Sequence, residues 1–256
     1  EYYYPIIPTI LINGSQGIGT GYSTTIPSYN PLDICACIKS KIAQEDTPIN
    51  LVPWYRGFKG KIESTSKGSF ITRGSYKIKN ANTLIITELP VGVWTEKYIE
   101  ILEKHMVDRT NKESTKYFIR DIKDNSTEDT VDIEIKMNPY TISDWKNKIS
   151  NDGITVLENK LKLTSSLSTS NMYAFDANLQ IQKYTTERII NDWFVVRKGI
   201  YVKRRLYLLE KLKSELDIMK FKVQFITEIV DEVRVINKKP KATIISELVA
   251  TGYPKF

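Results

Sequence analysis

Residues 209–233 read LEKLKSELDIMKFKVQFITEIVDEV. Leu209, Leu212, Leu216, Met219, Val223, Ile226, Val230 and Val233 step by alternating threes and fours, an apolar seam more than three heptads long. Upstream, Ile189, Trp193, Val196 and Ile200 carry the same spacing in a different phase. Between Thr185 and Pro240 there is no proline, and Gly199 is the one glycine in that stretch. The pattern predicts a single helix from Thr186 to Ile236, roughly 75 Å long at ~1.5 Å per residue. The change of phase next to Gly199, a residue costing ~1 kcal/mol against Ala in a helix, predicts a bend or phase shift there. So long a helix with so narrow a stripe needs a partner strand. No such strand is visible elsewhere in the sequence, so the partner is expected beyond Phe256 or in another chain.

Before this helix, residues 50–137 carry strand patterning. Gly60 to Glu63, Ser69 to Gly74, Ser75 to Lys79 and Thr83 to Thr87 are short strands separated by turn residues. Val131-Asp132-Ile133-Glu134-Ile135-Lys136 alternates as a half-buried strand. Thr95 to His105 reads as a helix with Thr95 as N-cap. Asp108 to Ser114 and Asp124 to Asp129 read as polar loops. Nearer the start, Ile10-Leu11-Ile12 reads as a short buried strand entering a glycine loop. Asn30-Pro31 opens a helix over Leu32 to Ala43. The fold class expected is therefore α+β with one long coiled-coil helix.

Composition bounds the function. The chain has 256 residues, 41% hydrophobic and 26% charged, which allows a real core and one to three domains and excludes a disordered tail or a disulfide miniprotein. Its apolar runs are far shorter than the ~20 residues of a membrane span. It starts at Glu1 and shows no signal-peptide pattern, so it is expected to be a piece of something longer. Cys35 and Cys37 read as free thiols in a reducing compartment. With His105 as the one histidine, a zinc site or a Ser-His-Asp triad is not expected. The net charge is +7, and it is uneven: residues 185–256 hold 15 Lys/Arg and 9 Asp/Glu, against 22 and 21 before them. Such asymmetry permits a polyanionic partner, but charge alone favours the plainer reading, a solvated helix face.

Asn13-Gly14-Ser15-Gln16-Gly17-Ile18-Gly19-Thr20-Gly21 first suggests a phosphate loop. Gly19 is followed by Thr20 where a Walker loop has Lys, and Tyr22 stands where a dinucleotide fingerprint has its third Gly. There remains a small-residue loop that lets another backbone approach. Ile18, alone between glycines, either tucks inward or stands outward as a wedge of the type that opens DNA base steps. Chemistry alone favours inward.

Taken in order, Tyr4-Pro5-Ile6-Ile7-Pro8, Leu11-Ile12-Asn13-Gly14, Gly17 to Ser23, Ile26-Pro27 and Asn30-Pro31 closely resemble the type IIA DNA topoisomerases, best the eukaryotic and large-virus branch. The resemblance continues through Pro53 to Gly60, Ile86 to Thr95, Leu163 to Leu167, Asn171-Met172, Phe175-Asp176, Tyr201 to Arg205 and Asn237 to Pro240. It spans essentially the whole chain. It implies that Ile18 intercalates and bends the cleaved duplex, and that Trp94 lies against DNA. Within Lys162 to Asn171 it implies DNA contacts by Lys162, Thr164, Ser165, Ser166, Ser168 and Asn171. These are phosphate-positioning groups rather than base readers. Arg56 and Lys59 would flank the duplex. Without the resemblance, Trp94 reads as core packing and the Ser/Thr stretch as a capping loop.

The resemblance also implies that the cleavage chemistry lies outside this chain. The family's nucleophile is a tyrosine following an arginine, expected upstream of Glu1, and no Arg-Tyr pair occurs in this chain. Its metal site uses a Glu and an Asp-x-Asp pair, and no Asp-x-Asp occurs either. The intact enzyme would need Mg²⁺ and ATP, with neither bound by this stretch. Residues 1–37 would finish the DNA-gate domain, 38–184 would form the β-rich tower, and 185–256 the first leg of the exit-gate coiled coil and the start of its end-piece. Partners would be double-stranded DNA and a second copy of the protein, with no membrane. The location would be nuclear or cytoplasmic, host cytoplasm for a viral source. Two other classes stay open: a non-catalytic architectural DNA binder, and a coiled-coil scaffold.

Overall fold

A computed structural model describes residues 3–45, 50–65, 69–108, 112–150 and 153–254. The chain divides into two compact units, Glu1–Trp193 and Phe194–Phe256.

In the first unit the order is α1 (Thr9–Asn13), β1 (Ser15–Ile18), β2 (Ser23–Ile26), α2 (Pro31–Ile42), β3 (Lys61–Ser64), β4 (Phe70–Arg73), β5 (Ser75–Asn80) and β6 (Thr83–Glu88). Then come α3 (Thr95–Glu103), β7 (Ile119–Asp124), β8 (Ile133–Met137), α4 (Thr141–Lys146), α5 (Val156–Lys160), β9 (Thr164–Leu167), β10 (Tyr173–Phe175) and β11 (Ile181–Lys183). The chain is thus mixed helix and sheet, and the α+β expectation holds.

Strands β5-β6-β8-β7 form an antiparallel sheet, β3-β4-β9 a second, and β1-β2 and β10-β11 are hairpins. The alternation in β8 does what its sequence predicts: Ile133, Ile135 and Met137 are buried while Glu134 and Lys136 face outward. They meet Leu84 and Ile86 of β6, and α3, α4 and α5 close this core with Tyr98, Leu102, Ile142, Trp145 and Leu157. A second core joins the two ends of the unit. Leu11, Ile26, Tyr29, Ile34 and Ile38 pack with Leu51, Met172, Tyr184, Ile189 and Ile190.

Several local expectations are corrected. Ile10-Leu11-Ile12 lies in helix α1, not a strand. Pro8 and Gly14 leave only five residues between them, and one turn buries Leu11 completely while its carbonyl accepts from the Tyr29 amide at 2.7 Å. At Gly14 a Cβ would lie 2.8 Å from the Ile26 carbonyl oxygen, so the turn out of α1 requires glycine. Helix α3 is N-capped by Trp94 rather than Thr95, with no side-chain cap bond. Residues 119–124 and 164–167, unassigned to strands by their patterning, pair as β7 and β9. The predicted polar loop from Asp108 to Ser114 falls partly on residues 109–111, outside the described residues.

Helix α6 spans Thr186–Val230, beginning in the first unit, and its helical bonding runs through Gly199. It stops six residues short of the predicted Ile236. Glu232 turns left-handed at φ 58°, and the Arg234 amide donates back to the Glu228 carbonyl at 2.9 Å. Arg234 Nε also donates to Glu228 Oε2 at 2.8 Å.

In the second unit α7 (Lys241–Ala250) comes next. Ile218, Phe221 and Phe225 of α6 line a shallow apolar groove with Ile245, Leu248 and Tyr253. The heptad seam lies elsewhere: Leu209 to Val233 are all exposed at the seam positions, from 45% at Leu209 to 77% at Val233. No helix is long and apolar enough to cross a membrane among the described residues.

Candidate nucleic-acid interface

The glycine loop is the β1-β2 hairpin. Ile18 ends β1 opposite Ser23, and the Gly19 amide donates to the Tyr22 carbonyl at 2.7 Å to close the tip. Gly21 takes φ 86°, a turn position that other residues rarely adopt. Ile18 is 91% exposed, so the inward placement favoured by chemistry alone is wrong. Gly17 and Gly19 are not there for room within the protein. A Cβ on Gly17 would meet only a Thr24 methyl at 4.0 Å, and one on Gly19 only the Tyr22 oxygen at 3.7 Å. Both are ordinary contacts. The glycines thus leave the surface on either side of Ile18 bare.

The hairpin is braced from behind by the segment that carries the Ser/Thr residues. The Thr25 amide donates to the Asn171 carbonyl at 2.8 Å. Thr24 Oγ1 donates to the Tyr173 carbonyl at 2.8 Å and accepts from the Tyr173 amide at 3.0 Å. Asn171 Nδ2 donates to Ser23 Oγ at 2.9 Å, and the rings of Tyr22 and Tyr173 meet edge-on at 6.3 Å. Ile18 and Asn171, 153 positions apart in sequence, thus belong to one structural unit, and Asn171 holds the hairpin with its side chain. None of Tyr22, Ser23, Thr24 and Tyr173 was expected to act in the site. The hydrogen bonds and ring contact between the hairpin and residues 171–173 reveal them.

Thr164, Ser165 and Ser166 lie on β9, paired with Arg73, Thr72 and Ile71 of β4. Ser166 and Ser168 are exposed, Thr164 and Ser165 half-buried. Ser168 Oγ bonds Ser170 Oγ at 2.8 Å and accepts from the Ser170 amide, folding the strand end into a turn beside Asn171. Lys162 stands exposed between Leu161 and Leu163, both fully buried.

Trp94 is 73% exposed, which excludes core packing. It sits at the N-terminus of α3, whose Tyr98 hydroxyl donates to the Leu161 carbonyl at 2.5 Å, so α3 abuts the Lys162 segment. Burial pushes the Tyr98 hydroxyl pKa far above its ordinary value, keeping it a neutral donor. Exposed Arg56 and Lys59 occupy a loop strung between the two regions. The Trp54 amide donates to the Ser28 carbonyl at 2.8 Å, just past the hairpin, and the Lys59 amide to Glu88 Oε2 at 3.1 Å, six residues before Trp94. Burial, then the neighbouring Tyr29, raises the pKa of Tyr55, the half-buried anchor of this loop. Among the described residues no side-chain hydrogen bond joins Trp94, Arg56 or Lys162 to the hairpin.

No group of three or more His, Cys, Asp or Glu gathers among the described residues. Cys35 and Cys37 are both free and half-buried, and Cys37 is raised in pKa by burial and then by Asp33.

Known proteins resemble this chain in sequence and fold over nearly its whole length. The family described as the A subunit of DNA gyrase/topoisomerase IV matches residues 1–254. DNA topoisomerase 2 of Plasmodium falciparum is 41% identical over 257 residues, covering 100% of this chain and 18% of the relative. DNA topoisomerase 2 of Saccharomyces cerevisiae is 34% identical over 257 residues, covering 100% and 17%. The crystal structure of the Plasmodium falciparum topoisomerase II DNA-binding, cleavage and re-ligation domain superposes with a TM-score of 0.83 over 99% of this chain and 33% of that one, at 41% identity. The chain thus spans under a fifth of the length of these curated relatives.

Proposed function

The chain belongs to the type IIA DNA topoisomerases, the family of the DNA gyrase and topoisomerase IV A subunits, and on that basis we propose that it is the stretch that grips and bends the duplex to be cut. The observation that carries this is Ile18: an apolar side chain at a hairpin tip, almost fully exposed, with bare glycine on each side and a hydrogen-bonded brace behind it. An exposed isoleucine gains nothing in water. Inserted between two base pairs it is desolvated, and the few kcal/mol spent on unstacking are offset by the extra surface a bent duplex meets.

That surface is the rest of the site. Lys162, Arg56 and Lys59 supply charge for phosphates; Thr164, Ser165, Ser166 and Ser168 supply hydroxyls; Trp94 supplies an exposed ring; Asn171 holds the hairpin in register. None is arranged to read a base edge, so binding is backbone-directed and weakly sequence-dependent. In the intact protein this grip would serve an ATP-dependent reaction: a transient double-strand break through phosphotyrosine links, passage of a second duplex, and resealing. Mg²⁺ and ATP would act elsewhere in that protein. Residues 1–37 would complete the DNA gate, 38–184 the tower, and 185–256 the exit-gate arm, with the exposed seam from Leu209 to Val233 paired in a homodimer. A nuclear location fits the eukaryotic relatives.

The test is a duplex labelled at both ends, titrated with the chain. Binding should shorten the end-to-end distance measured by fluorescence transfer, and affinity should fall steeply with salt on unrelated sequences. Binding that leaves the duplex straight would refute bending.

A further inference from the structure

We propose that Arg73 and Glu158 are positioning residues for Lys162, fixing where its ammonium group meets a duplex phosphate; this rests on the duplex-binding function above. Lys162 follows helix α5 at φ 52°, a left-handed position that glycine takes freely and in which a Cβ is crowded. A lysine kept in that conformation is strained, and strain persists only where the surroundings over-determine it. Here they do. On one side, the Leu161 amide donates to Leu157 at 3.0 Å while its carbonyl accepts from Tyr98. On the other, the Leu163 amide donates to the Glu158 carbonyl and its carbonyl accepts from the Gly74 amide, both at 2.9 Å. Both leucines are fully buried, so the backbone on each side of the lysine is held, and among the described residues no acidic group pairs with its ammonium.

Arg73 ties these parts together. Its Nη1 donates to Glu158 Oε2 at 3.1 Å, its Nε to Glu63 Oε2 at 2.8 Å, and its Nη2 to the Gly153 carbonyl at 3.2 Å. Glu158 Oε2 also accepts from the Thr155 amide at 2.8 Å and Thr155 Oγ1 at 2.9 Å, closing the capping box of α5. The side chains of Arg73 and Glu158 are only 12% and 14% exposed, so the pair is little screened and geometrically specific. It bolts α5, which precedes Lys162, to β4, whose Arg73 stands opposite Thr164 two residues after it.

A double-mutant cycle tests this, with duplex affinity measured by fluorescence anisotropy across salt concentrations and a thermal melt on every variant. Lys162→Gly should lower the slope of log affinity against log salt by about 1. It should also raise the melting temperature by about 2–4 °C as the backbone strain is relieved. Glu158→Gln keeps the acceptor for Thr155 and removes the charge. It should lower the slope in the unsubstituted background and leave it unchanged in Lys162→Gly, because its effect runs through Lys162. Equal slope losses in both backgrounds, or a lowered melt with an unchanged slope, would assign the ion pair a structural role only. If the unsubstituted chain shows no salt-dependent binding, the duplex-binding function falls and this inference with it; additive losses with binding intact overturn the inference alone.

Discussion

Ile18 and Trp94 are large apolar side chains turned to water, and each can be changed without touching a core. Replacing Ile18 by Ala removes no buried contact, whereas a buried Ile→Ala change costs about 2–5 kcal/mol. Ile18→Ala should therefore leave the melting temperature of the chain unchanged within about 1 °C while reducing the duplex bend. The paired measurement is a thermal melt and the end-to-end fluorescence assay on the same preparation. A sharp drop in the melt with the bend preserved would make Ile18 a core residue and remove the best physical support for the hairpin's role. Single residues are also where sequence was least legible. Nothing in the pattern Gly17-Ile18-Gly19 says which way the side chain faces, because a glycine loop has no periodicity; the hairpin is placed by hydrogen bonds that Thr24 and Thr25 donate to, and Ser23 accepts from, a segment about 150 residues away.

Among the helices and strands, periodicity was a good guide wherever one face is buried. The alternation in β8 and the Asn30-Pro31 start of α2 emerge as read, the latter with Asn30 Oδ1 accepting from the Leu32 amide at 2.9 Å. The strand β9 was hidden because a Ser/Thr run has no apolar alternation; its place is set by its partner β4. The end of α6 was hidden too, because the seam continues past Val230 while Arg234 pulls the chain back. Hydrogen bonds from Gln224, then Arg234, hold the Glu228 carboxyl below the usual carboxylate range. A depressed folded pKa contributes stability that is present above the unfolded value and lost as pH falls through the folded one. Arg234 Nη2 also donates to Thr251 Oγ1 at the end of α7, at 3.0 Å. The protection factors of the α7 amides, exchange rates corrected for the intrinsic pH dependence, should therefore fall in acid, at a pH below the ordinary carboxylate pKa. Glu228→Gln should lower them already at pH 7 and flatten the acid response; an unchanged response would free α7 from this ion pair. Gly199 offers a second test. A Cβ there meets nothing, so Gly199→Ala should stabilise the helix by ~1 kcal/mol and raise the melting temperature by about 2–4 °C. A drop would mean that the helix needs a conformation at Gly199 which alanine resists.

For the whole molecule, the division of labour follows from the groups the chain carries and how it is charged. Its basic excess of 15 over 9 sits in residues 185–256, which hold the long helix and α7, while the hairpin brace lies in the first unit. The braced hairpin belongs to the proposed grip on DNA, and the long helix to the proposed exit-gate arm. Cutting DNA by the family's route takes a tyrosine beside an arginine and a carboxylate cluster for metal, and moving a second duplex takes ATP. The sequence has no Arg-Tyr pair, and the described residues form no cluster that could hold a metal. Bending, by contrast, needs only binding energy, and transesterification conserves the phosphodiester bond energy, so grip and chemistry are separable. The chain alone, incubated with supercoiled plasmid, Mg²⁺ and ATP, should leave the linking number unchanged while shifting the plasmid's mobility in a salt-sensitive way. Agarose gels run before and after protein removal distinguish the two effects. Before removal the mobility shift should appear, and it should weaken between about 50 and 200 mM salt, a range over which three cationic phosphate contacts cost about 40-fold in affinity. After removal the topoisomer ladder should match the untreated plasmid. A redistributed ladder would place the cleavage chemistry within these 256 residues and overturn the separation of grip from cut.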